Sequence, residues 1–105
     1  MTVVDRVIEA LNAQDVDAFV ACYGPDATIE DGYDRVRVRG REAMRDRYAA
    51  LFEQYPDVRV EPGWRTEVGE FVVQEETVTG RAGHERHVAV YQIENGVIVR
   101  ERLIA

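Results

Sequence analysis

The chain contains no lysine and no serine, and its single cysteine is Cys22. Without serine, a serine nucleophile and the hydrolase chemistry built on it are excluded. A lone cysteine cannot close an internal disulfide, so a reducing cytoplasm is the default compartment and Cys22 reads as packing rather than as a nucleophile. No apolar run approaches the ~20 residues needed to span a bilayer, and the N-terminus lacks a basic-then-apolar signal pattern. Positive charge is scarce as well: 13 basic residues, all arginine, face 20 acidic ones, for a net charge of −7. That balance argues against nucleic acid, whose phosphates need a basic patch, and against anionic membrane surfaces. Gly40, Gly69, Gly80 and Gly96 are isolated turn glycines without phosphate-cradling spacing, and no cofactor is expected. His84 and His87 with Asp31 would make a two-histidine, one-carboxylate set. Positions three apart on a strand face opposite ways, however, and no metal is expected.

What is present is a chain of 105 residues, 46% hydrophobic and 31% charged. That is one domain with its own core. Thr2 caps a first helix on which Val3, Val4, Val7, Ile8 and Leu11 form one apolar stripe. Asp15 caps a second, short helix with Val16, Phe19, Val20 and Tyr23 on one face, stopped by Gly24-Pro25. Arg35 to Arg39 alternates as a half-buried strand with its arginines in solvent. Gly40 opens a third helix, with Met44, Tyr48, Leu51, Phe52 and Tyr55 inward, and Pro56 ends it. The second half reads as long strands. Val58, Val60, Trp64, Thr66 and Val68 share a parity, with a bend or bulge expected at Pro62-Gly63. Phe71–Thr79 follows, then a loop over 80–85 and a hairpin of 87–93 with 97–104. The order predicts an α+β fold: three helices packed on one face of a curved, mostly antiparallel sheet.

The stretch Ala27 to Gly32 carries the main functional question. On a strand, Ala27, Ile29 and Asp31 share one side, apolar until its last member. Asp31 is then either the surface end of a strand or an acid held at a pocket wall.

Three segments, ALNAQDVDAFVACYGPDATIEDG, VRGREAMRDRYAALF and YQIENGVIVRERL, resemble the SnoaL-like and ketosteroid-isomerase-like branches of the nuclear transport factor 2-like superfamily. The resemblance covers nearly the whole chain. It implies a cone-shaped fold enclosing an apolar pocket, and homodimerisation through the sheet. In ketosteroid isomerases an aspartate base faces an oxyanion hole made of a tyrosine and a protonated aspartate. By that resemblance the base falls on Asp31 and a supporting helix-three tyrosine on Tyr48. The two oxyanion donors fall on Val7 and Ala89, which donate nothing, so steroid isomerisation by that mechanism is not expected.

The hairpin register decides which groups line such a pocket. A three-residue loop pairing Ile93 with Val97 puts His87, Ala89 and Tyr91 on the face of Val99, Glu101 and Leu103, with Glu101 across from Ala89. A two-residue turn puts Arg100 and Arg102 there instead. The first register is preferred, because inward arginines need partners that are hard to supply. The candidate catalytic residues are then Asp31 as base, His87 as partner acid or carbonyl-polarising donor, and Tyr48. Tyr23, Trp64, Gln74, Tyr91 and Glu101 are the candidate ligand-binding residues, and Glu76 shares the parity of Gln74. The expected activity is cofactor-independent proton transfer on a small apolar organic molecule, of isomerase, cyclase or dehydratase type. The alternatives are a non-catalytic ligand-binding module and a dimeric interaction domain; a cavity of roughly 300 Å³ or more would exclude the last.

Overall fold

The structure is a computed structural model describing residues 2–32, 35–81 and 83–105, apart from the side chain of His84. The first helix, α1 (Val3–Asn12), starts at a capping box in which Thr2 and Asp5 satisfy each other's orphan groups. Its stripe is the one expected, with Val3, Val4, Val7 and Ile8 buried. The second, α2 (Val16–Ala21), is capped by the Asp15 carboxylate on the Ala18 N–H. Tyr23, expected on that helix, is instead the first residue of strand β1 (Tyr23–Asp31). Gly24-Pro25 therefore lies within a strand, where the ladder to its neighbour is interrupted between Tyr23 and Thr28. This is a place where a proline's missing N–H costs nothing. Strand β2 (Val36–Arg39) and helix α3 (Arg41–Gln54) follow. The expected turn through Tyr33 and Asp34 lies outside the described residues.

The sheet is completed by β3 (Arg59–Val68), β4 (Phe71–Arg81), β5 (Gly83–Glu94) and β6 (Val97–Ile104). The strand order is β2-β1-β6-β5-β4-β3, with β1 and β6 parallel and every other pair antiparallel. Where a loop is expected over 80–85, Gly80 and Arg81 belong to β4 and residues 83–85 to β5, with Arg81 paired to Gly83; residue 82 lies outside the described residues. The three helices cover one face, where Val4, Val7, Phe19 and Met44 meet Ile29, Ala89 and Ile98 in the core. Helix α3 buries only Met44 and Phe52 fully, leaving Tyr48, Leu51 and Tyr55 at the margin of the core. That partly open margin is where the site lies.

Two bulges set which side chains point into the space under the helices. On β3, Pro62 pairs with Glu76 and Arg65 with Gln74, three residues against two. The extra residue inverts the parity beyond it, so Arg65 turns inward and Trp64 outward. The expected bulge is present, and it reverses the parity that unbroken alternation predicts for Trp64. Trp64 is 52% exposed and is no pocket wall. On the last hairpin, Glu94 pairs with Val97 and Ile93 with Ile98, around Asn95 and Gly96 at φ 52° and 79°. That is a two-residue turn with both residues left-handed, not the three-residue loop expected. A shift between Gln92 and Ile93 then restores the other parity, pairing Tyr91 with Glu101 and Ala89 with Leu103. Glu101 is inward after all, opposite Tyr91 rather than Ala89. Arg100 points to the outer face, where its guanidinium forks onto Glu30 at 2.7 and 2.8 Å.

Candidate functional site

Between the helices and the sheet lies a partly open cavity of about 80 Å³. Val7, Ile8 and Leu11 come from α1, Phe19 from α2, and Tyr48 and Leu51 from α3. The sheet supplies Tyr23, Val60, Glu76, Val78, Arg81, His87, Tyr91, Glu101 and Leu103. The walls are apolar, and the polar groups form two sets. That volume holds a few waters or a small ring, and it falls short of the size that would exclude a cavity closed by its own side chains.

The first set is Glu101 and Tyr23. The Tyr23 phenol, buried at the start of β1, donates to Glu101 Oε1 at 2.5 Å. Burial raises the Glu101 pKa from 4.5 to about 8, repulsion from Glu76 adds to the rise, and the Tyr23 hydrogen bond opposes it. At neutral pH this carboxyl is mostly protonated, an acid able to donate. Burial and the adjoining carboxylates push the hydroxyls of Tyr23 and Tyr91 well above the ordinary tyrosine range. Tyr48 is likewise raised, and its ring packs against Phe19 at 4.3 Å between centroids.

The second set is centred on Glu76. Its Oε2 accepts from the Tyr91 hydroxyl at 2.5 Å and from Gln74 Nε2 at 2.9 Å, and its Oε1 meets His87 Nε2 at 2.9 Å. With three partners aimed at it, Glu76 plays the acceptor-only part of a carboxylate. Facing that carboxylate, the imidazole donates through Nε2. Behind this set the network continues outward. Gln74 Oε1 accepts from Arg65 Nε at 2.8 Å, and Arg65 reaches Asp5 on α1 at 2.7 Å. That ion pair holds the Asp5 carboxyl down at about 2. Gln74 is therefore not on the cavity surface but bolts Glu76 in place.

Of the residues expected from sequence, Tyr23, Tyr48, His87, Tyr91 and Glu101 meet around one cavity. Asp31 is not in its lining. It stands at the end of β1 with its carboxylate held by the backbone N–H of Arg35 at 3.2 Å and by Arg35 Nε at 3.0 Å. This is the strand-end position, not the pocket wall. Glu76 was legible from its shared parity with Val72 and Val78. Arg65 and Arg81 were missed, the first behind the bulge and the second in a presumed loop. Among the described residues, no three His, Cys, Asp or Glu side chains are placed to hold a metal ion. No helix is long and apolar enough to cross a membrane among them either.

In its whole fold the chain is similar to an uncharacterised cystatin-fold protein from Novosphingobium aromaticivorans. The two share 29% identity and a TM-score of 0.94, over 100% of this chain and 99% of that one. A candidate polyketide cyclase from Sinorhizobium meliloti superposes with a TM-score of 0.84 at 24% identity, covering 96% and 92%. A candidate SnoaL-like polyketide cyclase from Jannaschia does so at 0.79 and 21%, covering 96% and 81%. The last two likenesses are of fold alone. Residues 4–101 match the SnoaL-like domain, and this chain of three helices on a six-stranded sheet belongs to the SnoaL-like domain family.

Proposed function

We propose that this protein takes a small, largely apolar carbonyl compound into the cavity and moves a proton on it without a cofactor. The observation that carries the reading is the pairing of unlike acid–base sets around one apolar void. Glu101 is held neutral beside Tyr23, while Glu76 orients the His87 ring through its 2.9 Å contact with Nε2. Titratable groups whose surroundings push them apart are suited to opposite roles in acid–base chemistry.

In this scheme His87 Nδ1 removes a proton from the carbon next to the carbonyl. The electron pair of that C–H bond becomes the enolate, and the negative charge collects on the carbonyl oxygen. Protonated Glu101, backed by the Tyr23 phenol, donates a hydrogen bond to that oxygen. The proton on His87 then returns to a second carbon, giving an isomer, or to a departing oxygen, giving an unsaturated product. Asp31 has no part in it, since its carboxylate is engaged with Arg35 outside the cavity lining.

The test is hydrogen–deuterium exchange at the α-carbon of small ketones in D₂O, followed by NMR. Exchange should be catalysed by the native protein and fall by ~10²–10⁴-fold in His87→Gln, but little in Asp31→Asn. Full exchange by His87→Gln would sink the scheme. Ligand-induced shifts without exchange would leave the alternative, a non-catalytic binding module of the same fold.

A second copy of the chain is the proposed partner, packed sheet to sheet. The support is apolar side chains on the outer face: Trp64, Val68 and Phe71 are 52%, 65% and 40% exposed. Sedimentation should report a dimer that Trp64→Glu weakens; a native monomer at high concentration would refute it.

A further inference from the structure

The cavity opens to the surface past arginines, although the chain as a whole carries −7. Arg81 and Leu103 line the cavity and also two surface grooves, of about 390 and 340 Å³, that adjoin it. Arg37 lines both grooves, and Arg47 lines the one beside α3. Among the described residues the one acidic side chain in either groove is Glu85, which forms a long, exposed ion pair with Arg81 at 3.8 Å. No described carboxylate side chain pairs with Arg37 or Arg47. Both guanidiniums lower the pKa of the Tyr48 hydroxyl, against the burial that raises it.

We propose that this lip is an anion-binding subsite, in which Arg37, Arg47 and Arg81 take the carboxylate of a small monocarboxylic acid whose apolar body fills the cavity. The inference rests on the cavity being a ligand site. Three observations converge on it. Guanidinium forks match a planar carboxylate bidentately. An interior of about 80 Å³ admits one small ring or a short branched chain and leaves any further group at the mouth. The orientation is fixed by charge: an anion carried inward meets the Glu76 carboxylate and loses its hydration, whereas at the lip it keeps water and gains three cations.

The experiment is a titration with phenylacetate and 3-methylbutanoate, each beside its methyl ester, followed by tyrosine-ring NMR shifts and calorimetry. The acids should bind at least about tenfold tighter than their esters, the scale of a hydrogen-bonded charge pair. That preference should shrink with added salt and fall by about tenfold in Arg81→Gln and in the double variant Arg37→Gln, Arg47→Gln. These side chains are solvent-facing, so the variants should remain folded. Acids and esters binding equally, or a preference surviving both variants, would overturn the anion subsite while leaving the cavity as a ligand site. Failure of either series to move the tyrosine signals would overturn both. Phenyl phosphate binding in place of the acids would also overturn the assignment, since it would make the subsite one for phosphate.

Discussion

The hydroxyl of Tyr23 donates to Oε1 of Glu101 across 2.5 Å, though 78 residues separate them in the chain. Tyr23 opens β1, and Glu101 sits in β6, the strand that runs parallel beside it. The bond joins the first strand to the last in the cavity lining and ties a structural contact to the protonation of one buried acid.

That acid should give stability a distinctive pH dependence. The folded pKa of Glu101, about 8, lies above the ordinary 4.5, because burial favours the neutral form. Its contribution is therefore complete below pH 4.5 and is lost as pH rises towards 8, at a limiting ~1.4 kcal/mol per pH unit. Urea midpoints between pH 5 and 9 should fall along this course in the native chain and much less in Glu101→Gln. Parallel profiles for the two proteins would show that Glu101 is not held neutral.

Glu76 acts on Glu101 through repulsion and so helps to hold its pKa up. In Glu76→Gln the repulsion disappears, and the Glu101 midpoint should move below 8, read from side-chain carboxyl ¹³C shifts. The amide nitrogen also confronts donors from Gln74 and Tyr91, which should cost about 2 kcal/mol in stability. An unmoved Glu101 midpoint would mean that burial alone sets it.

Asn12 closes α1 onto β3. Its side-chain carbonyl accepts from the Val60 N–H at 2.7 Å, and its amide donates to the Val60 carbonyl at 2.9 Å, as a neighbouring strand would. Asn12→Ala leaves both backbone groups without partners and should cost about 2–3 kcal/mol by urea unfolding. A loss below about 0.5 kcal/mol would show that water replaces the contact freely.

Gly80 carries Arg81 to the cavity mouth at φ +80°, with the Asp57 carbonyl where a Cβ would stand, 2.0 Å away. Gly96 has a similar φ, +79°, and nothing within 4 Å. Both substitutions to alanine strain the backbone, but only one drives a methyl into main chain. Gly96→Ala should cost about 1 kcal/mol and Gly80→Ala more than about 3 kcal/mol. Equal losses would refute the close approach at Gly80.

Elements and their inward faces are legible in the residues alone wherever one period runs unbroken. The α1 stripe, the alternation of Val72, Gln74, Glu76 and Val78 on β4, and the cap at Asp15 are local patterns with local causes. The family likeness rests on the residues of three segments and is legible in the sequence as well. What tertiary structure decided were the breaks in period. One extra residue near Pro62-Gly63 exchanged Trp64 for Arg65, and another beyond Ile93 returned Glu101 to the inside after a two-residue turn. A bulge moves every later side chain to the opposite face, and its position depends on the partner strand, which a single strand's sequence does not contain. Asp31 illustrates the same limit at a strand end. Its parity with Ile29 was correct, but Arg35 and the reach of the cavity, not parity, determined where its carboxylate stands.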